Sequence, residues 1–71
     1  MKEKIIEVLS QVLNVPVNES TSQDNCAEWD SLHHLNLIIE LEMAFDVSFE
    51  PEEIAEMKSV EMIETMLKKK F

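Results

Sequence analysis

Residues 30–45 read DSLHHLNLIIELEMAF and follow a long polar segment. Their apolar side chains recur at the spacing of an α-helix, which predicts a helix from Ser31 to Phe45. Asp30 stands immediately before this helix, where an aspartate caps the free backbone N–H groups. The hydroxyl of Ser31 is then not needed as a cap, so the sequence places one spare serine at an accessible corner of the protein.

Two apolar stripes run along this predicted helix, although a simple surface helix needs only one. The first stripe has the spacing of a core face and consists of His34, Leu37, Ile38, Leu41 and Phe45. The second lies on a neighbouring face and consists of Leu32, Leu35, Ile39 and Met43. The second stripe is either additional core or a docking surface, and we expect at least Leu32 and Met43 to be partly exposed.

The N-terminal part of the chain predicts one more helix and a long connection. Apolar periodicity predicts a helix over about residues 2–14, ended by Asn14 and Pro16. Residues 15–29 are mostly polar and have no sustained period, and a loop of this length in so small a domain is often functional. We expect Trp29 to fix the end of this loop to the core.

The C-terminal part predicts two further helices. Pro51 suits the first turn of a short helix that ends near Met57, and Ser59 is the expected N-cap of the last helix. Lys68–Lys70 then lie at the negative end of that helix, where cations stabilise it. The predicted fold class is therefore all-α: a four-helix bundle with a long loop between the first two helices and a short third helix, in a single domain over residues 1–71.

The charge of the chain limits its partners. The net charge is −9, and between Ile5 and Met57 there are twelve Asp and Glu residues but no Lys or Arg. Such a surface repels nucleic acid and anionic lipid and attracts basic patches on partner proteins. We expect a monomer that binds neither nucleic acid nor membrane.

Two other features of the composition exclude further classes of site. The chain has no glycine, which excludes glycine-rich phosphate loops and dinucleotide fingerprints. Cys26 is the only cysteine, so no internal disulfide can form, and we expect a reducing, cytoplasmic location. Cys26, Glu28, Asp30, His33 and His34 lie close together in sequence, but their spacing matches no structural zinc pattern, so no metal site is predicted.

Ser31 and His34 raise the alternative of a hydrolase, because they are three residues apart on one helix. Nucleophilic catalysis also needs an orienting third group and an oxyanion site in a cleft that excludes water. A chain this short has little room for such a cleft, so we interpret His34 as a structural histidine and expect no enzymatic activity.

Residues 30–37, Asp-Ser-Leu-His-His-Leu-Asn-Leu, resemble the prosthetic-group site of acyl carrier proteins, and residues 45–47, Phe-Asp-Val, resemble the end of their second helix. Fourteen residues separate Ser31 from Phe45, which is the spacing in that family. Val60 falls where the fourth helix of the family begins. The resemblance extends from the first helix to the C-terminal lysines.

This resemblance implies that Ser31 receives 4′-phosphopantetheine from coenzyme A through a phosphopantetheinyl transferase, and that the arm carries acyl groups as thioesters. Asp30 would help to position the magnesium ion and coenzyme A of the transferase. The residues implied in recognition of the transferase and of acyl-loading and acyl-processing enzymes with basic patches are Asp30, Leu32, His33, Leu35, Asn36, Ile39, Glu42, Met43 and Ile54. The residues implied in lining a pocket for the acyl chain are Leu37, Ile38, Leu41, Phe45, Met57 and Ile63.

The chain departs from the pattern of fatty-acid-type carriers at several positions. His33, Asn36 and Met43 stand where those carriers are usually acidic, and Trp29 immediately precedes Asp30. At these positions the sequence is more similar to that of specialised carriers of polysaccharide, secondary-metabolite or lipid pathways. The alternatives are an aminoacyl or peptidyl carrier of a nonribosomal pathway, and an unmodified helical module that binds a partner through the second stripe.

Overall fold

Four α-helices make up the computed structural model, which describes residues 1–71. They are α1 (Lys2–Leu13), α2 (Ser31–Phe45), α3 (Pro51–Glu56) and α4 (Val60–Lys70). The only strand-like pairing is an isolated antiparallel bridge between Ser22 and Ser59. The predicted all-α class with four helices is confirmed, and α2 has the predicted ends. No helix combines the length and the apolar character that crossing a membrane would require.

The hydrophobic core lies between α1, α2 and α4. The first stripe of α2 faces this core, since His34, Leu37, Ile38 and Leu41 are buried and Phe45 is partly buried. The large side chains that are fully buried are Ile5, Leu9, Leu37, Leu41, Met57, Val60, Ile63 and Leu67. In contrast, α3 buries none of its residues and contributes only the partly buried Ile54. The apolar core is therefore formed mainly by α1, α2 and α4, and α3 is the least packed helix.

The long loop between α1 and α2 is ordered by hydrogen bonds. Its Asn, Ser and Thr side chains bond to nearby backbone groups, as is usual in turns. Gln23 N donates to Lys58 O, and Val60 N donates to Thr21 O, which ties the loop to the junction of α3 and α4. Trp29 is only 3% exposed, so it fixes the end of the loop to the core as predicted.

Polar contacts attach α3 to the C-terminus of α4. The Glu53 carboxylate accepts a hydrogen bond of 2.7 Å from Glu50 N and lies 3.0 Å from Lys70 Nζ. Lys70 Nζ also lies 5.5 Å from the centroid of the Phe49 ring. The pKa of Glu53 is below its ordinary value, first because of the Glu50 N–H group and then because of Lys70. Lys70 thus links two helices in addition to complementing the dipole of α4.

We expect Asp46→Gly to stabilise the protein. Asp46 ends α2 with a left-handed backbone (φ 55°), which glycine adopts without the steric cost of a Cβ atom. Urea denaturation should show a gain of about 1 kcal/mol in the free energy of unfolding. Asp46→Ala is the control, because it removes the unfavourable charge at the helix C-terminus, keeps the Cβ and has no preference for the left-handed region. An equal gain in both variants would show that charge, and not backbone conformation, limits this position.

We also expect the contribution of Asp30 to stability to depend on pH. The pKa of Asp30 is below its ordinary value, first because the His33 backbone N–H donates to its carboxylate and then because the His33 side chain bonds to it. Such a carboxylate stabilises the fold above its unfolded pKa of about 4, and this stabilisation is lost as the pH falls through the lower folded value.

The matched variant is Asp30→Asn, which still caps a helix but does not titrate. Urea midpoints should show the unsubstituted protein to be the more stable of the two at neutral pH, with the difference shrinking as the pH falls below about 4. A difference that stays constant down to acid pH would contradict the role assigned to the Asp30 carboxylate.

Candidate functional site

Ser31 is the first residue of α2, and its side chain is exposed. Asp30 Oδ1 accepts a hydrogen bond of 2.9 Å from His33 N, which confirms that Asp30 is the N-cap. The Ser31 hydroxyl forms no hydrogen bond within the chain. The N-terminus of α2 therefore presents a free hydroxyl in the positive field of a helix dipole, beside an ionised carboxylate.

His33 contacts Asp30 directly, which sequence reasoning missed. Its Nδ1 lies 2.8 Å from the same Asp30 oxygen that caps the helix. A spacing of three residues brings two side chains together at the start of a helix. The contact holds the Asp30 carboxylate in one orientation next to Ser31.

The second stripe of α2 is exposed. The exposed fractions are 68% for Leu32, 56% for Leu35, 53% for Ile39 and 65% for Met43. The expected exposure of Leu32 and Met43 is confirmed, and the alternative that this stripe is additional core is wrong, because all four side chains are open to solvent while the first stripe is in the core. Asn36 is also exposed. Four large apolar side chains on one helix form a surface of the kind that marks an interaction site.

Glu42 and Ile54 are less exposed than the second stripe, although both are among the residues predicted to recognise partners. Both are half-buried. The Glu42 carboxylate accepts a hydrogen bond of 2.9 Å from Phe49 N and so holds the connection between α2 and α3. Ile54 packs against the core. Their role in recognition stays a prediction, and the structure adds a structural role for each.

The six residues predicted to line an acyl pocket lie in the core. Phe45 is partly buried, and the other five, Leu37, Ile38, Leu41, Met57 and Ile63, are buried. The surface depressions of the structure lie elsewhere, one between α1 and α2 and one along α4. An acyl chain could enter between these six residues only if helices moved apart, so their role as a lining stays a prediction.

His34 is held at both nitrogens of its ring. Trp29 Nε1 donates a hydrogen bond of 2.9 Å to His34 Nδ1, and His34 Nε2 lies 2.9 Å from the carbonyl oxygen of Ile54. The side chain is 9% exposed, in agreement with the structural role expected from the first stripe. Because both nitrogens have partners, the ring does not serve as a base for Ser31.

The cluster of possible metal ligands in the sequence does not converge. No group of three or more His, Cys, Asp or Glu side chains is arranged to hold a metal ion. Cys26 is buried, and its Sγ lies 3.7 Å from Glu28 Oε1. The polar groups of this region instead serve the loop and the cap of α2.

A prosthetic group attached through a phosphate fits the N-terminus of α2. The hydroxyl of Ser31 has no competing partner, and backbone N–H groups with a positive helix end favour a phosphodiester at this position. Asp30 supplies the cap through one oxygen only, so its second oxygen is free for contacts with a partner.

Comparisons with known proteins give the fold and the family of this chain. A structure of a candidate acyl carrier protein from Mycobacterium tuberculosis superimposes with a TM-score of 0.85 at 24% identity, over 99% of this chain and 97% of that chain, which shows the fold. No curated protein sequence matches significantly. The family model described as "Phosphopantetheine attachment site" matches residues 3–67, and domains of that family are carriers, not enzymes, that hold covalent 4′-phosphopantetheine. The chain therefore belongs to the phosphopantetheine attachment-site family, the family of the acyl carrier proteins.

Proposed function

We propose that Ser31 is the attachment residue and that the protein carries acyl groups as thioesters for a specialised pathway. The observation that supports Ser31 is its combination of an exposed, unbonded hydroxyl with the start of a capped helix. The bound arm supplies a thiol that holds the acyl group. The protein supplies an anchor on a rigid helix, from which a tethered thioester reaches each enzyme at a high effective concentration.

The other serines lack this combination of features. Ser59 caps α4 by accepting a hydrogen bond from Met62 N, and Ser22 Oγ accepts one from Asp24 N. Ser10 lies within α1 and is half-buried. Ser20 and Ser48 are exposed but stand in loops, and neither is the first residue of a helix. Ser31 thus has the most favourable field for an attached phosphate.

The attachment reaction is a phosphoryl transfer. Ser31 Oγ forms a bond to the phosphorus next to pantetheine in coenzyme A, and the pyrophosphate P–O bond of coenzyme A breaks. The adenosine bisphosphate portion leaves, and the hydroxyl proton passes to a base of the transferase. On this chain, Asp30 immediately precedes Ser31, and His33 orients its carboxylate. A carboxylate held in this way suits the role proposed for Asp30 near the magnesium ion of the transferase.

Partner enzymes would dock on the exposed stripe of α2, which begins next to Ser31. Leu32, Leu35, Ile39 and Met43 provide apolar contact, with Asn36 between them and the acidic Glu40 at the margin. Apolar contact at the centre and an acidic rim suit an enzyme surface that has an apolar patch surrounded by basic residues.

A specialised pathway is supported by the residues around the attachment serine. Trp29, His33 and Asn36 make this corner less acidic than in fatty-acid-type carriers, so partners with fewer basic residues are favoured. The protein would act as a cytoplasmic monomer that serves polysaccharide, secondary-metabolite or lipid synthesis.

The attachment can be tested by intact-mass measurement. The protein is incubated with coenzyme A, magnesium and a promiscuous phosphopantetheinyl transferase. We expect the mass to increase by one phosphopantetheine, and Ser31→Ala to abolish the increase, because no other serine has the same surroundings. Ser20→Ala, at another exposed serine, is the control and should be modified normally. An unmodified protein with a competent transferase would favour the alternative of a protein-interaction module.

Met43→Glu tests the docking surface. Because Met43 is 65% exposed, the melting temperature of the Met43→Glu variant should stay within a few degrees of that of the unsubstituted protein. Loading of the variant by acyl-processing enzymes should fall. Leu41→Ala is the matched core control on the opposite face and should lose about 2–5 kcal/mol of stability. Unchanged loading of Met43→Glu by every enzyme tested would argue against docking at this stripe.

A further inference from the structure

We propose that His34 is a positioning residue that joins the attachment turn to α3. Its imidazole connects the Trp29 indole with the backbone carbonyl of Ile54 through two hydrogen bonds of 2.9 Å. The inference rests on the proposed attachment at Ser31, because Trp29 lies two residues before that serine. We call these three residues the Trp29–His34–Ile54 chain.

The partners of His34 fix the position of its proton. An indole N–H group can only donate and a carbonyl oxygen can only accept, so the neutral imidazole with its proton on Nε2 satisfies both contacts. Trp29 and His34 are 3% and 9% exposed, so water does not readily replace either contact. The ring centroids are 6.1 Å apart and the ring planes are inclined by 28°, as expected for two rings joined edge to edge by this hydrogen bond. In this one arrangement, every hydrogen-bonding group of the Trp29 and His34 side chains has a partner.

At its Trp29 end, the Trp29–His34–Ile54 chain holds the turn that carries Ser31. The Trp29 backbone N–H donates to Cys26 O at 3.0 Å, and the His34 backbone N–H donates to Asp30 O at 2.8 Å. His34 thus contacts this turn through its main chain at Asp30 and through its side chain at Trp29. With both ends of the turn fixed, Asp30 and Ser31 have one orientation relative to α2.

At its Ile54 end, the Trp29–His34–Ile54 chain holds α3, the helix that buries the least side-chain surface. His34 is the only side chain of α2 that hydrogen-bonds to α3. The other contacts of α3 are the Glu53–Lys70 ion pair, which is partly exposed, and the packing of Ile54, and the buried Phe49 and Met57 anchor the segment before and after the helix. A partly exposed ion pair contributes little, so the contact of His34 is the main polar restraint on the distance between α2 and α3.

A coupling between the attachment turn and α3 follows from this geometry. If α3 moves away from α2, the bond from His34 to Ile54 breaks, and the imidazole is free to rotate away from Trp29. Conversely, a change at Trp29 alters the orientation of the imidazole that holds α3. Three buried residues are predicted to contact an acyl chain in this region: Leu37 and Ile38 belong to α2, and Met57 immediately follows α3.

The coupling can be measured on the unmodified protein by NMR. The single tryptophan gives a single indole N–H signal, and the imidazole ¹⁵N shifts of His34 report which nitrogen carries the proton. In Trp29→Phe, which keeps an aromatic ring but removes the donor, we expect the backbone amides of α3 to exchange about fivefold faster. The amides of α1 and α4 should be unchanged.

Two substitutions of His34 separate positioning from packing. His34→Leu retains volume but leaves the Trp29 donor unpaired and the Ile54 carbonyl with only its backbone hydrogen bond from Met57 N, so amide exchange in α3 and at the indole should accelerate. His34→Gln can accept and donate at similar positions and should restore slow exchange. The initial rate of Ser31 modification by the transferase should fall severalfold in His34→Leu and recover in His34→Gln.

The inference would be overturned if amide exchange in α3 did not change in Trp29→Phe, or if it changed equally in α1, α3 and α4. It would also be overturned if His34→Gln behaved like His34→Leu in both measurements. Since the NMR measurements need no modification, they remain informative if Ser31 is not the attachment residue. In that case the proposed function would fail in the mass experiment, while the Trp29–His34–Ile54 chain would still be tested.

Discussion

The hydrogen bond from His33 N to the Asp30 carboxylate determines where α2 begins, and the rest of the structure depends on that point. Because the side chain of Asp30 fills the capping position, Ser31 becomes the first helical residue and keeps its hydroxyl free. The helix that follows turns one apolar stripe into the core and the other towards solvent. One carboxylate thus sets both the architecture of the domain and the exposure of the serine proposed to carry the arm.

A domain of this size gains stability mainly by burying apolar surface, yet α2 leaves one of its two stripes exposed. The core is completed by α1, which packs against both α2 and α4, and the buried side chains of the three helices form one cluster with Leu37 and Leu41. Packing a further element over Leu32 and Met43 would bury more apolar area but would also cover the neighbourhood of Ser31. The exposed stripe is therefore consistent with a protein whose stability is limited by the need to present one face to partners.

Much of the fold could be predicted from sequence because its signals are local. Periodicity and the cap Asp30 located both ends of α2, Ser59 located the start of α4, and Pro51 located the start of α3. Periodicity predicted the first stripe of α2 as core but could not decide whether the second stripe is also core, since that depends on where other helices pack. The Asp30–His33 contact was accessible from helical spacing. The bond from His34 to Ile54 was not, because the two residues are 20 positions apart in sequence.

The structure divides its helices by the kind of contact that holds them. Separating α1, α2 and α4 would expose apolar side chains to water, which is costly, whereas α3 is held largely by polar contacts that water can partly replace. The helix that can move at least cost is therefore α3, and it lies beside the core residues predicted to contact an acyl chain. Since the polar contact between α2 and α3 runs through His34 to Trp29, movement of this helix is linked to the turn that bears Ser31. A carrier must alternately shelter its cargo and present it, and this arrangement connects the element that would admit a chain to the residue that would tether it.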